Sequence, residues 1–180
     1  MPSVTRLLDA PAMARTLSGM AGAIVERCGT EGLVLVGIQR RGVELANRLA
    51  KLIERSQDVS IPLGKLDITL YRDDLSAIGP RPRVGETSLP GEIAGASVVL
   101  VDDVLYTGRT VRAALDELAD FGRPRRILLA VLVDRGGREL PIQPDIVGLE
   151  VKTAPDDRID VGVAELDGKD LVELVEGAPI

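Results

Sequence analysis

Apolar positions along the chain follow two different periods. Residues 33–38 (LVLVGI), 98–101 (VVLV) and 127–133 (ILLAVLV) are apolar at every position, the pattern of short strands covered on both faces. Other stretches repeat every three to four residues. Ala12, Leu17, Met20, Ala21 and Ile24 form a stripe ending near Arg27, with Asp9 placed to cap the helix and Pro11 in its first turn. Within 42–55, Val43, Ala46, Leu49, Ala50 and Ile53 share a face, and Glu44 stands four residues before Arg48. A third helix is predicted over 109–121 from Val111, Ala114, Leu115 and Leu118, with Gly122 as its C-cap. LDITLY (66–71) alternates apolar and polar residues and reads as a half-buried strand. IDVGVAEL and LVELV flank Asp167-Gly168 and predict a hairpin.

Strands and helices alternate, which predicts an α/β fold with a parallel sheet flanked by helices. The 180 residues suit one domain, 1–180, with a C-terminal hairpin and tail over 155–180. Between 72 and 95 periodicity is lost and Pro, Gly and charge dominate. A loop that long in a compact domain is either functional or disordered.

Composition narrows the chemistry. Two Tyr, one Phe and no Trp leave an aliphatic core. One cysteine, Cys28, excludes an internal disulfide and suits a reducing compartment. The N-terminus lacks the pattern of a signal peptide, and the longest apolar run is too short to span a bilayer, so a soluble cytoplasmic protein is expected. The absence of histidine removes Ser-His and Cys-His nucleophiles and His-ligated zinc. What remains is carboxylates, arginines, hydroxyls, backbone amides and a hard cation. The net charge of −6 is uneven: residues 1–138 carry 19 Lys and Arg against 17 Asp and Glu, residues 139–180 carry 3 against 11. Global acidity argues against nonspecific binding to nucleic acid while leaving room for a local basic patch.

VVLVDDVLYTGRT (98–110) places two adjacent carboxylates at the end of an apolar strand, then a short Thr-Gly-Arg-Thr loop, then a helix. Free amides at a helix N-terminus favour a phosphate. Thr107 and Thr110 add hydroxyls, and Gly108 permits close backbone approach. The loop lacks the Lys of a Walker A motif and does not read GxGxxG. Two acceptor-only carboxylates beside a phosphate cradle match a sugar phosphate with vicinal hydroxyls. A strand, a turn and a Thr-capped helix would account for Gly108 and Thr110, but not for Asp102-Asp103. In an open parallel sheet ligands gather at the carboxyl ends of strands, which groups 37–41, Asp102-Asp103 and Asp134-Arg135 on one edge.

The stretch resembles the phosphoribosyl pyrophosphate (PRPP) motif of type I phosphoribosyltransferases. With LDITLYRDDLS (66–76), GRPRRI (122–127) and LAVLVDRGGRELPI (129–142), nearly the whole chain resembles the PyrR family, which combines pyrimidine operon regulation with uracil phosphoribosyltransferase activity. The resemblance implies the type I fold, with 72–95 as a flexible hood loop. It implies that Asp102 and Asp103 hold the ribose hydroxyls and that Val104, Leu105, Tyr106, Thr107, Gly108, Arg109 and Thr110 wrap the 5′-phosphate. Arg40 and Arg41 would meet the pyrophosphate, Arg41 as the fork-shaped donor, with Arg83 from the loop over the site. Asp134, Arg135 and Ile159 would border the base. The implied ligands are PRPP, uracil, UMP and other uridine nucleotides, with Mg2+, on a homodimer or a dimer of dimers.

Arg40 stands where the family has Thr, and Gly85 where it commonly has Lys or Arg. The family also binds a stem-loop in pyrimidine leader mRNA through basic residues and histidines. Here Gly19, Gly22 and Gly136-Gly137 occupy the corresponding places, leaving Arg15, Arg27, Arg123, Arg125, Arg126 and Arg138 for an RNA face. Two function classes therefore stand: a uracil phosphoribosyltransferase that also regulates, and an RNA attenuation regulator whose nucleotide site is mainly a sensor.

Overall fold

In a computed structural model, which describes residues 1–74 and 85–178, two sheets divide the chain. The larger is fully parallel and built from β2 (Leu33–Ile38), β3 (Leu63–Leu66), β4 (Ser97–Leu105), β5 (Arg126–Asp134) and β6 (Ile146–Glu150), in the order β3-β2-β4-β5-β6. Helices α1 (Ala10–Cys28), α2 (Arg41–Gln57) and α3 (Arg109–Ala119) cover it. The smaller sheet is antiparallel, β1 (Ser3–Leu8) and β7 (Arg158–Gly162) on either side of β8 (Leu171–Glu176). A four-residue helical turn, α4 (Ala164–Asp167), joins β7 to β8.

The unbroken apolar runs arise because the sheet has a core on each face and side chains alternate along a strand. Leu33, Leu35, Val99 and Val101 pack with Met13, Ile24 and Leu49 of α1 and α2. Their neighbours Val34, Val36, Val98 and Leu100 pack with Val111 and Leu118 of α3 on the other side. β4 lies at the centre, paired Gly37↔Val101 with β2 and Val101↔Ala130 with β5, so its Asp pair emerges in the middle of the carboxyl edge.

Asp9 caps α1 as expected, its carboxylate accepting the Ala12 N–H at 2.9 Å. LDITLY is not a strand. β3 stops at Leu66, and 69–71 form a 3-10 turn closed by the Tyr71 N–H to Ile68 carbonyl bond at 2.8 Å. The cause is Asp67, whose carboxylate takes the Thr69 N–H (2.9 Å) and so offers the backbone a turn instead of a ladder. Helix α3 ends at Ala119 with Asp120 as its cap, and Gly122 follows at φ 145°. The hairpin around Asp167-Gly168 is real, with α4 inserted at its tip. Strands β1 and β6 have no counterpart in the sequence reading. The acidic tail also finds its place, since β8 pairs with both β1 and β7 and Glu173 accepts from Arg6 at 2.8 Å.

Of the 72–95 loop, the two stems are described and both reach α3. Asp73 pairs with Arg109 (2.6 Å) and Arg112 (3.4 Å), while the Thr87 hydroxyl donates to buried Glu117 at 2.6 Å. Ser88 exchanges two backbone bonds with Lys65. Arg81 and Arg83 lie outside the described residues. No helix among the described residues is long and apolar enough to cross a membrane.

Candidate active site

The carboxyl ends of β2, β4 and β5 lie side by side, as the parallel register requires. Asp102 is 7% exposed. Its carboxylate accepts the Asp103 N–H at 2.9 Å, and that of Asp103 accepts the Val104 N–H at 2.9 Å. Burial first, then the neighbouring Asp103 carboxylate, push Asp102 well above the usual carboxylate range. A buried carboxylate held this way is stabilised by arriving donors such as two vicinal hydroxyls, or by a cation carried in with the ligand. Among the described residues no group of three or more His, Cys, Asp or Glu converges. Asp102 and Asp103 are hard oxygen donors of the kind from which a magnesium ion arriving with a phosphate compound takes one or two ligands.

Two glycines seat the 39–42 loop against this pair. A Cβ on Gly42 would lie 3.3 Å from the Asp102 Cα and overlap the Val101 carbonyl oxygen. A Cβ on Gly37 would lie 2.6 Å from the Gly42 carbonyl oxygen. Arg40 is exposed at the N-cap of α2, and the Gln39–Arg40 peptide is cis. Arg41 opens α2, and its guanidinium forks onto Asp167 of α4, Nη2 at 2.9 Å and Nε at 3.2 Å.

The 105–110 loop is a cradle of backbone. Leu105 is buried opposite Asp134, and Val104 pairs with Val133. Gly108 adopts φ 94°, a left-handed conformation that favours glycine, with Ile142 against its open side. No side chain caps α3, so first-turn amides of Thr110 and Val111 remain available to an anion. The Thr107 hydroxyl accepts the Arg109 N–H at 3.3 Å, and its carbonyl accepts from Glu139 (3.0 Å) and Leu140 (3.1 Å), which pins the loop to 139–142. A cavity of about 230 Å³ opens here, lined by Arg72, Asp73, Asp74, Thr107, Arg109 and Thr110. The Arg109 side chain is engaged by Asp73 and Glu139.

A second cavity, about 360 Å³, lies past the end of β5 between Asp134, Gly136, Glu150, Val151 and Lys152. Burial alone would raise the Asp134 carboxyl, but the Arg138 guanidinium (2.7 Å) and the Gly136 N–H (3.0 Å) outweigh it and hold the group below the usual range. Arg135 faces elsewhere. It is 3% exposed, stacks 3.8 Å over the Tyr106 ring, and donates to the Thr153 hydroxyl (3.0 Å) and the Asp157 carbonyl (2.9 Å). It braces the 153–157 loop around the cavity instead of lining it. Ile159 sits in the core on β7, opposite Leu174.

Of the six arginines read as a basic face, four share one edge and two stand apart. Arg27, Arg123, Arg125 and Arg126 gather at the amino edge of the large sheet, opposite the site. There Arg126 donates to the Arg27 carbonyl (3.0 Å), Arg125 donates to Ser97 (3.0 Å), and the Arg123 carbonyl accepts from Gly95. Arg15 stands further along α1, beside a groove shared with β6. Arg138 belongs to the active edge, bound to Asp134 and to the carbonyls of Tyr106 and Ile142. Residues the sequence reading missed are Asp167, Glu139, Asp73 and Lys152. Only Asp73 carried a signal, through its place in LYRDDLS.

The comparisons with known proteins agree with this geometry. The family model for the phosphoribosyl transferase domain matches residues 3–166. The bifunctional protein PyrR of Thermus thermophilus is 58% identical over 171 residues, covering 94% of each chain, and that of Chloroflexus aurantiacus is 54% identical over 179 residues, covering 99% of this chain and 98% of its own. The chain belongs to the PyrR family. Solved hypoxanthine-guanine and hypoxanthine phosphoribosyltransferases share its fold. The Bacillus anthracis enzyme has a TM-score of 0.69 at 19% identity, covering 95% of this chain and 97% of its own, and a Trypanosoma cruzi enzyme 0.72 at 17%, covering 96% and 91%. The type I phosphoribosyltransferase fold thus stands, and the small antiparallel sheet, called the hood from here on and separate from the 72–95 loop, is tied to the carboxyl edge through Arg41 and Asp167. Within this PyrR chain the Asp pair, the 105–110 cradle and the 39–42 loop meet at one place, which the motif alone did not establish for Arg41.

Proposed function

We propose that the protein transfers the phosphoribosyl group of PRPP to uracil, giving UMP and pyrophosphate, and that it regulates pyrimidine genes in response to uridine nucleotides. The observation that carries the reading is the Asp102-Asp103 pair running directly into the 105–110 cradle, beside Arg41 on the same sheet edge. Asp102 and Asp103 hold the ribose hydroxyls, and the amides and hydroxyls of 107–110 hold the 5′-phosphate. Arg41 and exposed Arg40 meet the pyrophosphate, and the cavity beside Asp134 and Lys152 receives the base. As C1 of the ribose parts from pyrophosphate it passes through a cation-like state. Catalysis then rests on alignment and on stabilising the leaving charge. Magnesium, when bound with PRPP, supplies further neutralisation of that charge. Arg83 and the 72–95 loop close over the complex and exclude water. The protein works in the cytoplasm as a homodimer or a dimer of dimers.

The test is product formation from labelled PRPP and magnesium with uracil, orotate, hypoxanthine and guanine in parallel. UMP from uracil alone is expected, and turnover with a purine instead would overturn the assignment. A second reading, an RNA attenuation regulator whose site is a sensor, is favoured by the arginines at the opposite edge, which leave a basic surface clear of the nucleotide site. Mobility shift of pyrimidine leader RNA, with and without UMP, tests it. No turnover alongside a UMP-strengthened shift would favour the sensor.

A further inference from the structure

Arg41 has five N–H donors, and Asp167 uses only those of one edge, Nε and one Nη2 hydrogen. The opposite edge, both Nη1 hydrogens and the second Nη2 hydrogen, has no partner among the described residues. The Arg41 side chain is 39% exposed, so Asp167 does not seal it off. Asp167 is itself fixed. One of its oxygens also accepts the Val163 N–H at 2.9 Å, closing the turn that carries it. Arg48 of α2 forks onto both Glu165 and Asp170 at 2.5 to 2.9 Å, and Asp170 accepts the Ala164 N–H at 2.7 Å. The hood turn is thereby tied to the same helix that begins with Arg41.

We propose that Asp167 is a positioning residue for the leaving group: from the hood it grips the Nε edge of Arg41 and leaves the Nη1/Nη2 edge aimed at pyrophosphate. This rests on the reading of 39–42 as the pyrophosphate loop. A planar guanidinium held on one side loses little further freedom when it forms a second bidentate contact, and charge-assisted forks of this kind are the strong ones. The arrangement differs from competition. A carboxylate that occupied the anion-binding edge would have to leave before pyrophosphate arrived, whereas here the two edges serve separate partners. Asp167 first, and Asp103 and Asp160 more weakly, favour the charged form of Arg41.

The experiment is calorimetric binding of magnesium pyrophosphate to the full chain, with steady-state kinetics in parallel. Asp167→Asn keeps an acceptor for Val163 but drops the charge and one arginine contact. It is expected to weaken pyrophosphate binding and raise the KM for PRPP about tenfold, leaving the KM for uracil unchanged, with Asp167→Glu recovering part of the loss. Tighter pyrophosphate binding in Asp167→Asn would show competition and overturn the proposal. Equal rises in both KM values with a fall in melting temperature would reduce Asp167 to a structural role and overturn it too. Arg41→Ala sets the floor. If it binds pyrophosphate like the wild type, both the loop assignment and the role of Asp167 fail. Calorimetry needs no turnover, so failure of the uracil reading leaves this result legible.

Discussion

Replacing Gly42 by alanine tests how closely the 39–42 loop must sit on β4. The new Cβ would lie 3.3 Å from the Asp102 Cα and inside the contact distance of the Val101 carbonyl oxygen, both backbone atoms of the central strand. Neither can swing aside as a side chain would, so the start of α2 must lift. Gly42 does not occupy a left-handed conformation, so the effect is steric crowding and not backbone strain. Overpacking of this kind costs about 1–3 kcal/mol. For a chain of this length that lowers the melting temperature by about 2–12 °C. The shift should carry Arg41 with it, raising the KM for PRPP more than that for uracil. Gly22→Ala supplies the contrast. It lies exposed in the middle of α1 with nothing within 4 Å of a new Cβ, and alanine there should stabilise by about 1 kcal/mol. Differential scanning fluorimetry on both variants, with PRPP saturation curves, decides the matter. Melting and PRPP saturation unchanged in Gly42→Ala would refute the close seating of the loop.

Asp102→Asn should abolish turnover while the fold persists; unchanged turnover would remove Asp102 from the ribose site. Because Asp102 is pushed up in the fold, its protonated form is favoured there. Its contribution to stability is therefore full below the unfolded carboxylate value of about 3.9 and is lost as pH rises through the folded value. The ligand-free Asn variant should accordingly melt at or above the wild-type temperature at pH 7, with the difference shrinking towards pH 4. Arg135→Ala should cost about 2–4 kcal/mol by urea denaturation, since it strands the Asp157 carbonyl and removes the stack on Tyr106. A loss under half a kcal/mol would show that the 153–157 loop holds itself.

The parallel core was legible because each of its central strands is buried on both faces, which writes an unbroken apolar run into the sequence. The same rule fails at the margins. β6 is an edge strand with exposed and half-buried positions, and β1 is largely exposed and only becomes a strand by pairing with β8. Both are decided by partners far away in sequence. LDITLY alternates as a strand should, yet the Asp67 carboxylate wins the local contest for backbone donors. At the site, the Asp pair and the Thr-Gly-Arg-Thr loop were readable because their chemistry is contiguous. The Arg41–Asp167 fork spans 126 positions, and nothing near either residue announces the other. Arg135 read as a neighbour of the base and Arg138 as part of an RNA face, and only the fold makes one a brace of the 153–157 loop and the other a partner of Asp134.

The middle strand of the hood comes from near the end of the sequence. β8 joins β7, its neighbour, to β1, whose Arg6 lies 167 positions from Glu173. On a ribosome adding about 5–20 residues per second, β1 waits roughly ten to thirty seconds for the strand it pairs with. The parallel sheet and its Asp pair can be complete while the hood is still absent. A nascent chain would thus pass through a stage with an open ribose site and an Arg41 lacking Asp167. In that interval β1 presents an unpaired edge to any neighbouring chain on the same message.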